Sequence, residues 1–153
     1  MTQSKDCLGC QVSSGEKVPF GGFIYADNLW TVNHVLPPAA ILGWLVLQPR
    51  RHIEALHDMN FSEQQRMSQL MVSLDQMLRD ILSPLKVYVC LFTESESCPH
   101  IHFHIIPRSE EITALGPEIF SYKPETYPAD DSILHFIDSA KSRLHALIPA
   151  TLI

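Results

Sequence analysis

The chain has 153 residues, 46% of them hydrophobic and 18% charged, which fits one ordinary globular domain with a core of its own. Its formal net charge of −6 argues against a protein that wraps polyanionic DNA or RNA, although a small anionic ligand needs only a few local donors. No run approaches the roughly 18 apolar residues of a membrane span, and MTQSKDCLGC lacks the basic-then-apolar layout of a secretory signal, so a cytoplasmic location and no membrane partner are expected.

Near the N-terminus Cys7-Leu8-Gly9-Cys10 forms a CxxC pair. With no export signal, disulfides are not expected. One such pair is half a zinc site; its other ligands must come from elsewhere, and the chain carries eight histidines. A redox CxxC would open a helix after a strand, and nothing strand-like precedes this one. Left unliganded, the segment would be a frayed terminus. FIYADNLWTV (23–32) predicts two short strands around an Asp27-Asn28 turn. LGWLVLQP (42–49) predicts a strand inside the sheet, ending at Pro49 and followed by Arg50, Arg51 and His52. The clearest helix follows. Ser62 with Gln65 suggests a capping box, Met67, Leu70, Met71, Leu74, Met77, Leu78 and Ile81 recur at helical spacing, and Ser83-Pro84 ends it.

KVYVCLF (86–92) predicts another strand, with Cys90 as a small buried hydrophobe. A polar loop, TESES (93–97), leads to SCPHIHFHIIPR (97–108), a strand ending at Pro107. Residues 109–129 hold Pro117, Pro124 and Pro128 and read as irregular; a lid over a pocket is one option for them. Asp130 or Asp131 then caps a short helix whose apolar stripe is Ile133, Leu134, Ile137, Ala140, Leu144 and Leu147. Five strands that do not alternate strictly with two helices predict an α+β domain over 1–153. Its sheet is mainly antiparallel, with the long helix packed on it and a C-terminal helix. The motif-bearing core spans about 7–108 and the C-terminal extension 109–153.

Successive side chains of a strand point to opposite faces, so His100, His102 and His104 share one face while Ile101, Phe103 and Ile105 pack inward on the Met-rich helix. A solvated polar face would be served as well by threonine, serine or lysine. Buried histidines each need a partner. Two chemical readings remain. In one, all three imidazoles hold a metal. Same-face neighbours lie about 6.6 Å apart and the outer two about 13 Å apart, so convergence of all three on one ion is hard without a bulge. In the other, the three divide their labour between a nucleophile, a positioning group and a separate site. Geometry favours the second.

The pattern HIHFHII resembles the signature of the histidine triad (HIT) superfamily of nucleotide hydrolases and transferases. FIYADNLWTV, the strand before PRRH, the long helix and the final PR fall in that family's order, over roughly residues 7 to 108. The resemblance implies a HIT-like fold. It makes the middle histidine, His102, the nucleophile that attacks a nucleoside α-phosphate and forms a covalent nucleotidyl-imidazole. His104 would bond a phosphate oxygen, and Ser97 matches a hydroxyl that contacts the phosphate or leaving group. Arg108 is a further candidate phosphate partner. Members with an N-terminal CxxC bind zinc through positions that correspond here to Cys7, Cys10, His52 and His100. Such a closed four-ligand site is structural. The branch commonly forms homodimers by joining sheets. His34, His57, His135 and His145 have no motif support and read as surface or satisfied core residues.

The chain departs from the family in three places. TVNHVLPPAAILGW carries no acidic residue to hold ribose hydroxyls, and Gly43-Trp44 stands where Gly-His is common. Trp30 or Trp44 is a candidate for stacking on a base, against the commoner core role of a tryptophan in an apolar run. Glu94 and Glu96 stand in a loop where carboxylates would repel a polyphosphate unless they point away. No magnesium motif and no Walker-type loop is present. The expected partner is a small nucleotide or nucleotide conjugate, not a nucleic acid polymer. The alternatives are a non-catalytic nucleotide-binding or regulatory module and a metallohydrolase that uses His102 and His104 as ligands.

Overall fold

A computed structural model of the chain describes residues 6–93 and 95–148. A short helix α1, Leu8–Ser14, is followed by β1, Tyr25–Ala26, β2, Trp30–His34, and β3, Leu45–Pro49. The long helix α2, Phe61–Leu82, leads to β4, Lys86–Leu91, and β5, Phe103–Arg108; α3, Asp130–Leu147, closes the described chain. Five strands form one sheet in the order β1-β2-β3-β5-β4, with every pairing antiparallel. This is the expected α+β architecture. Among the described residues no helix is long and apolar enough to cross a membrane.

The β1–β2 turn forms because Asp27 Oδ1 accepts the backbone N–H groups of Leu29 and Trp30, both at 2.8 Å, an Asx turn that bends the chain between two apolar runs. Helix α2 starts two residues earlier than the expected capping box. Asn60 is the N-cap and receives the Glu63 N–H, while the Glu63 carboxylate accepts the Asn60 N–H. Asn60 prevails over Ser62 because Glu63 is also paired with Arg51 (2.7 and 2.9 Å), which locks the residue three places after Asn60 rather than Gln65. The helix ends at Ser83, in the left-handed conformation at φ 48°. Helix α3 has no side-chain cap: Ala129 occupies the N-cap, and the acids Asp130 and Asp131 lie in the first turn, where they favour the helix dipole.

One face of the sheet is the core. Trp30, Val32, Leu45, Leu47, Phe103 and Ile105 pack with Leu70, Leu74, Met77 and Leu78 of α2. Each fully buried leucine or methionine contributes about 2 kcal/mol, so this face outweighs the helix's own propensity. Helix α3 adds Ile133, Phe136, Ile137, Ala140 and Leu144 to the same core, so the C-terminal extension is part of the fold; Leu134 of the expected stripe is exposed and Phe136 takes the inward place. Cys90 is only half-buried, because β4 is an edge strand and the thiol lies on the opposite face.

That opposite face is covered from its two ends. Ile112 and Ile119, from the irregular segment after β5 and its 3-10 turn at Gly116–Ser121, pack on Ile41 and Ile106 at one end. At the other end α1 docks on β3, where Gln48 donates to Gly9 O at 3.2 Å and to Ser13 Oγ at 2.9 Å. Between the two covers the sheet is open.

Candidate active site

The open stretch is a cavity of about 490 Å³. Strand register sets its floor. Asn33 of β2 pairs with Val46 of β3, Val46 with His104 of β5, and His104 with Cys90 of β4, so these four stand in one row on the face away from the core. His102 and His104 line the cavity together with Gln48 and Cys98; Leu8 and Val12 of α1 form one wall, and Lys17, Val18 and Leu36 lie at the mouth. Lys17 is the one lysine or arginine among the described residues of the lining.

The three triad histidines part company. Strand β5 begins only at Phe103, so His100 and His102 lie in the extended segment leading into it. His100 is fully buried and turns toward Cys10, while His102 and His104 stay at the cavity with ring centres 5.0 Å apart and planes at 79°. The His102 Nδ1–H donates to the His100 carbonyl at 2.9 Å. A carbonyl can only accept, so this bond puts a proton on Nδ1, and in the neutral ring the lone pair is then on Nε2. Trp44 Nε1–H donates to His104 Nδ1 at 3.1 Å. Burial holds the His104 imidazole down at about 4, with a smaller contribution from the neighbouring His102, so this ring is neutral near pH 7.

Residues Cys7, Cys10, His52 and His100 come together beside the cavity, with one ligand atom from each lying within 4.8 Å of the others. Cys10 Sγ is 3.1 Å from His52 Nδ1 and 3.6 Å from His100 Nδ1. A tetrahedral ion with bonds of about 2.0–2.3 Å needs ligand atoms roughly 3.3–3.8 Å apart, and two thiols with two imidazoles are a zinc donor set. The outer nitrogens are already oriented: His100 Nε2–H donates to Pro49 O at 2.8 Å, and His52 Nε2 meets Glu54 Oε1 at 3.0 Å. Burial pushes His100 down to about 4, which keeps it neutral, as a ligand must be. The residues therefore fit a closed metal site. Gly9 is needed at this point, because a Cβ there would lie 2.7 Å from His100 Cβ.

Other expected site residues lie elsewhere. Trp30 has 0% exposure and its Nε1–H donates to Glu63 O at 3.1 Å; it is a core residue on the helix-facing side and cannot stack on a ligand. Arg108 is four residues beyond His104, about 13 Å along the strand. Its Nη1 donates to Ile112 O at 3.1 Å, so it anchors the segment after β5 instead of reaching the cavity. Ser97 is exposed, and its hydroxyl pairs with that of Ser95 at 2.9 Å. Its carbonyl accepts the Leu8 N–H at 2.9 Å and so docks α1; the cavity wall is taken by the next residue, Cys98, whose Sγ is 3.9 Å from His102 Nδ1. Glu96 is exposed, and Glu94 lies outside the described residues. His34 is buried and satisfied by Val35 O at 2.8 Å and the Gly43 N–H at 3.0 Å, while His57, His135 and His145 are exposed.

Sequence reasoning missed Lys17, Asn33, Gln48 and Cys98 as cavity residues and Phe120 as a neighbour of His104 at 5.3 Å. The alternation within LGWLVLQP holds a signal for Gln48, since Leu45 and Leu47 claim the core and Trp44, Val46 and Gln48 must face the other way. Lys17 and Phe120 reach the site from remote segments and carry no local signal.

Residues 21–111, more than half of the chain, match the family model for the HIT domain. A sequence comparison with curated proteins found no match. Among solved structures, a hypothetical histidine triad nucleotide-binding protein from Sulfolobus tokodaii superposes with a TM-score of 0.68 at 18% identity, covering 92% of this chain and 93% of that one. A zinc-bound histidine triad family protein from Mycobacterium smegmatis gives 0.65 at 17%, covering 92% and 94%. A HIT-like protein involved in cell-cycle regulation from Bartonella henselae gives 0.66 at 16%, covering 87% and 92%. At these identities the likeness is one of fold.

Proposed function

The chain belongs to the HIT family, and from that premise we propose that it is a nucleotide hydrolase or nucleotidyl transferase acting at a nucleoside α-phosphate through His102. The observation that carries the reading is the bond from His102 Nδ1–H to the His100 carbonyl, which places the lone pair of the neutral ring on Nε2, at a cavity large enough for a nucleotide. In the proposed reaction Nε2 forms a bond to the α-phosphorus as the P–O or P–N bond to the leaving group breaks. The leaving group departs with the bonding electrons and takes a proton from solvent. Water or another acceptor then attacks the same phosphorus, the histidine–phosphorus bond breaks, and the imidazole returns to its first state. His104 supplies a hydrogen bond to a non-bridging oxygen, and Lys17 supplies positive charge at the mouth.

Zinc would be held by Cys7, Cys10, His52 and His100, a reading supported by the donor set and by the zinc-bound relative. Its chemistry here would be structural: it would tie α1 to the segment that precedes β5. A homodimer is supported by the open β4 edge, where Val89 and Phe92 are about half exposed. A cytoplasmic location goes with this reading, since a CxxC pair that meets two histidines suits metal binding rather than a disulfide.

The test is incubation with an adenosine phosphoramidate and a dinucleoside polyphosphate, wild type beside His102→Ala. Turnover by wild type alone supports the proposal. Binding of these nucleotides without turnover by wild type would favour a non-catalytic binding module, and loss of zinc in His102→Ala would favour a metallohydrolase.

A further inference from the structure

We propose that Trp44 is a positioning residue: its indole N–H locks His104 in the neutral tautomer with the proton on Nε2, so that a fixed donor and the lone pair of His102 face the same phosphate. An indole N–H can only donate, and it meets His104 Nδ1 at 3.1 Å. That nitrogen must then be the acceptor, and the one proton of a neutral ring must sit on Nε2. The opposite tautomer, and the cation, would each set N–H against N–H. His102 is the mirror case, because a carbonyl that can only accept meets its Nδ1. As neutral rings, two imidazoles with centres 5.0 Å apart therefore hold complementary tautomers, each dictated by a partner with only one possible role.

The surroundings hold the indole in this pose. Gly43, at φ 83°, turns the chain just before it, and a Cβ there would meet Leu82 Cδ1 at 2.5 Å. The Trp44 carbonyl accepts the Val35 N–H at 3.0 Å. Phe120 stands edge-on to both the indole, 5.4 Å between centres, and the His104 ring, 5.3 Å, and is itself backed by Phe92 at 5.0 Å. The segment after β5 thus acts in the site through Phe120, as a clamp on the Trp44–His104 pair. A group on Trp44 never touches the substrate in this scheme; it acts by fixing which His104 nitrogen carries hydrogen.

The activity arm of the proposal rests on His102 as nucleophile, whereas the tautomer arm does not. The 153-residue chain, labelled with 15N at histidine, is examined by long-range proton–nitrogen NMR near pH 7. His104 is expected to show the Nε2–H pattern in wild type. In Trp44→Phe, which keeps the aromatic packing and removes the N–H, His104 is expected to become a tautomer mixture. Turnover of a dinucleoside polyphosphate is expected to fall about 10–100-fold in kcat, with KM within about twofold. An Nδ1–H or doubly protonated His104 in wild type overturns the proposal. So does a pure Nε2–H pattern in Trp44→Phe, whatever the rate does. If Trp44→Phe does not fold, the wild-type spectrum decides. An inactive wild type with the expected spectra would sink the proposed reaction and leave the tautomer assignment standing.

Discussion

His102 and His104 are the same amino acid, two positions apart on one face, yet they offer opposite hydrogen-bonding character because their Nδ1 atoms meet a carbonyl and an indole. The proposed roles follow, and they differ in what a substitution should do. His104→Ala removes a donor and leaves the nucleophile, so it should slow turnover about 100–1,000-fold while the adduct on His102 still forms; loss of the adduct as well would merge the two roles. The triad itself was legible in the sequence, since period-two alternation puts the imidazoles opposite Ile101, Phe103 and Ile105. Their partners were not. The contact of Trp44 with His104 depends on the register that sets Val46 beside His104, and on Phe120 arriving from a segment without periodicity.

The N-terminal helix shows how one short element can depend on what it covers. With seven residues α1 is too short to persist alone. It is held by Gln48 and Ser13, by the Leu8–Ser97 backbone bond, and by the thiols facing His52 and His100. Sequence reading found the CxxC but no helix, because LGCQVSS has no cap signal and little periodicity. Gly9→Ala should push α1 off His100, as its Cβ would meet a buried ring, and Cys7→Ser should remove one ligand. Both variants are expected to retain less zinc by elemental analysis and to melt at lower temperature. Normal zinc in Cys7→Ser would show the ligand set to be wrong. The long helix was legible almost to its ends. Its start shifted because Glu63 is fixed by Arg51, a contact between residues 12 apart that local capping rules do not see.

At the scale of the whole molecule, buried neutral histidines tie stability to pH. Burial lowers His34 below its ordinary 6.5, and burial with His102 nearby lowers His104 to about 4. The unfolded chain takes up these protons near 6.5 and the folded chain only further down. Stability from these groups is therefore full above 6.5 and is lost as pH falls from there toward the folded values, about 4 for His104. Melting temperature should fall between pH 7.5 and 5.5, and His34→Gln should flatten that fall. An equal slope in the variant would show that His34 carries none of it. Sheet order and the two-sided cover were only partly legible: alternation gave the core face, while the use of residues 109–129 to close the other face depends on long-range packing of Ile112, Ile119 and Phe120.

The most direct measurement is peptide mapping by mass spectrometry after rapid mixing with an adenosine phosphoramidate. A nucleotidyl group is expected on the peptide that carries the triad, located at His102 and absent in His102→Ala. A wild-type protein that turns the substrate over with no such adduct at any time, or with the adduct on another residue, would contradict it.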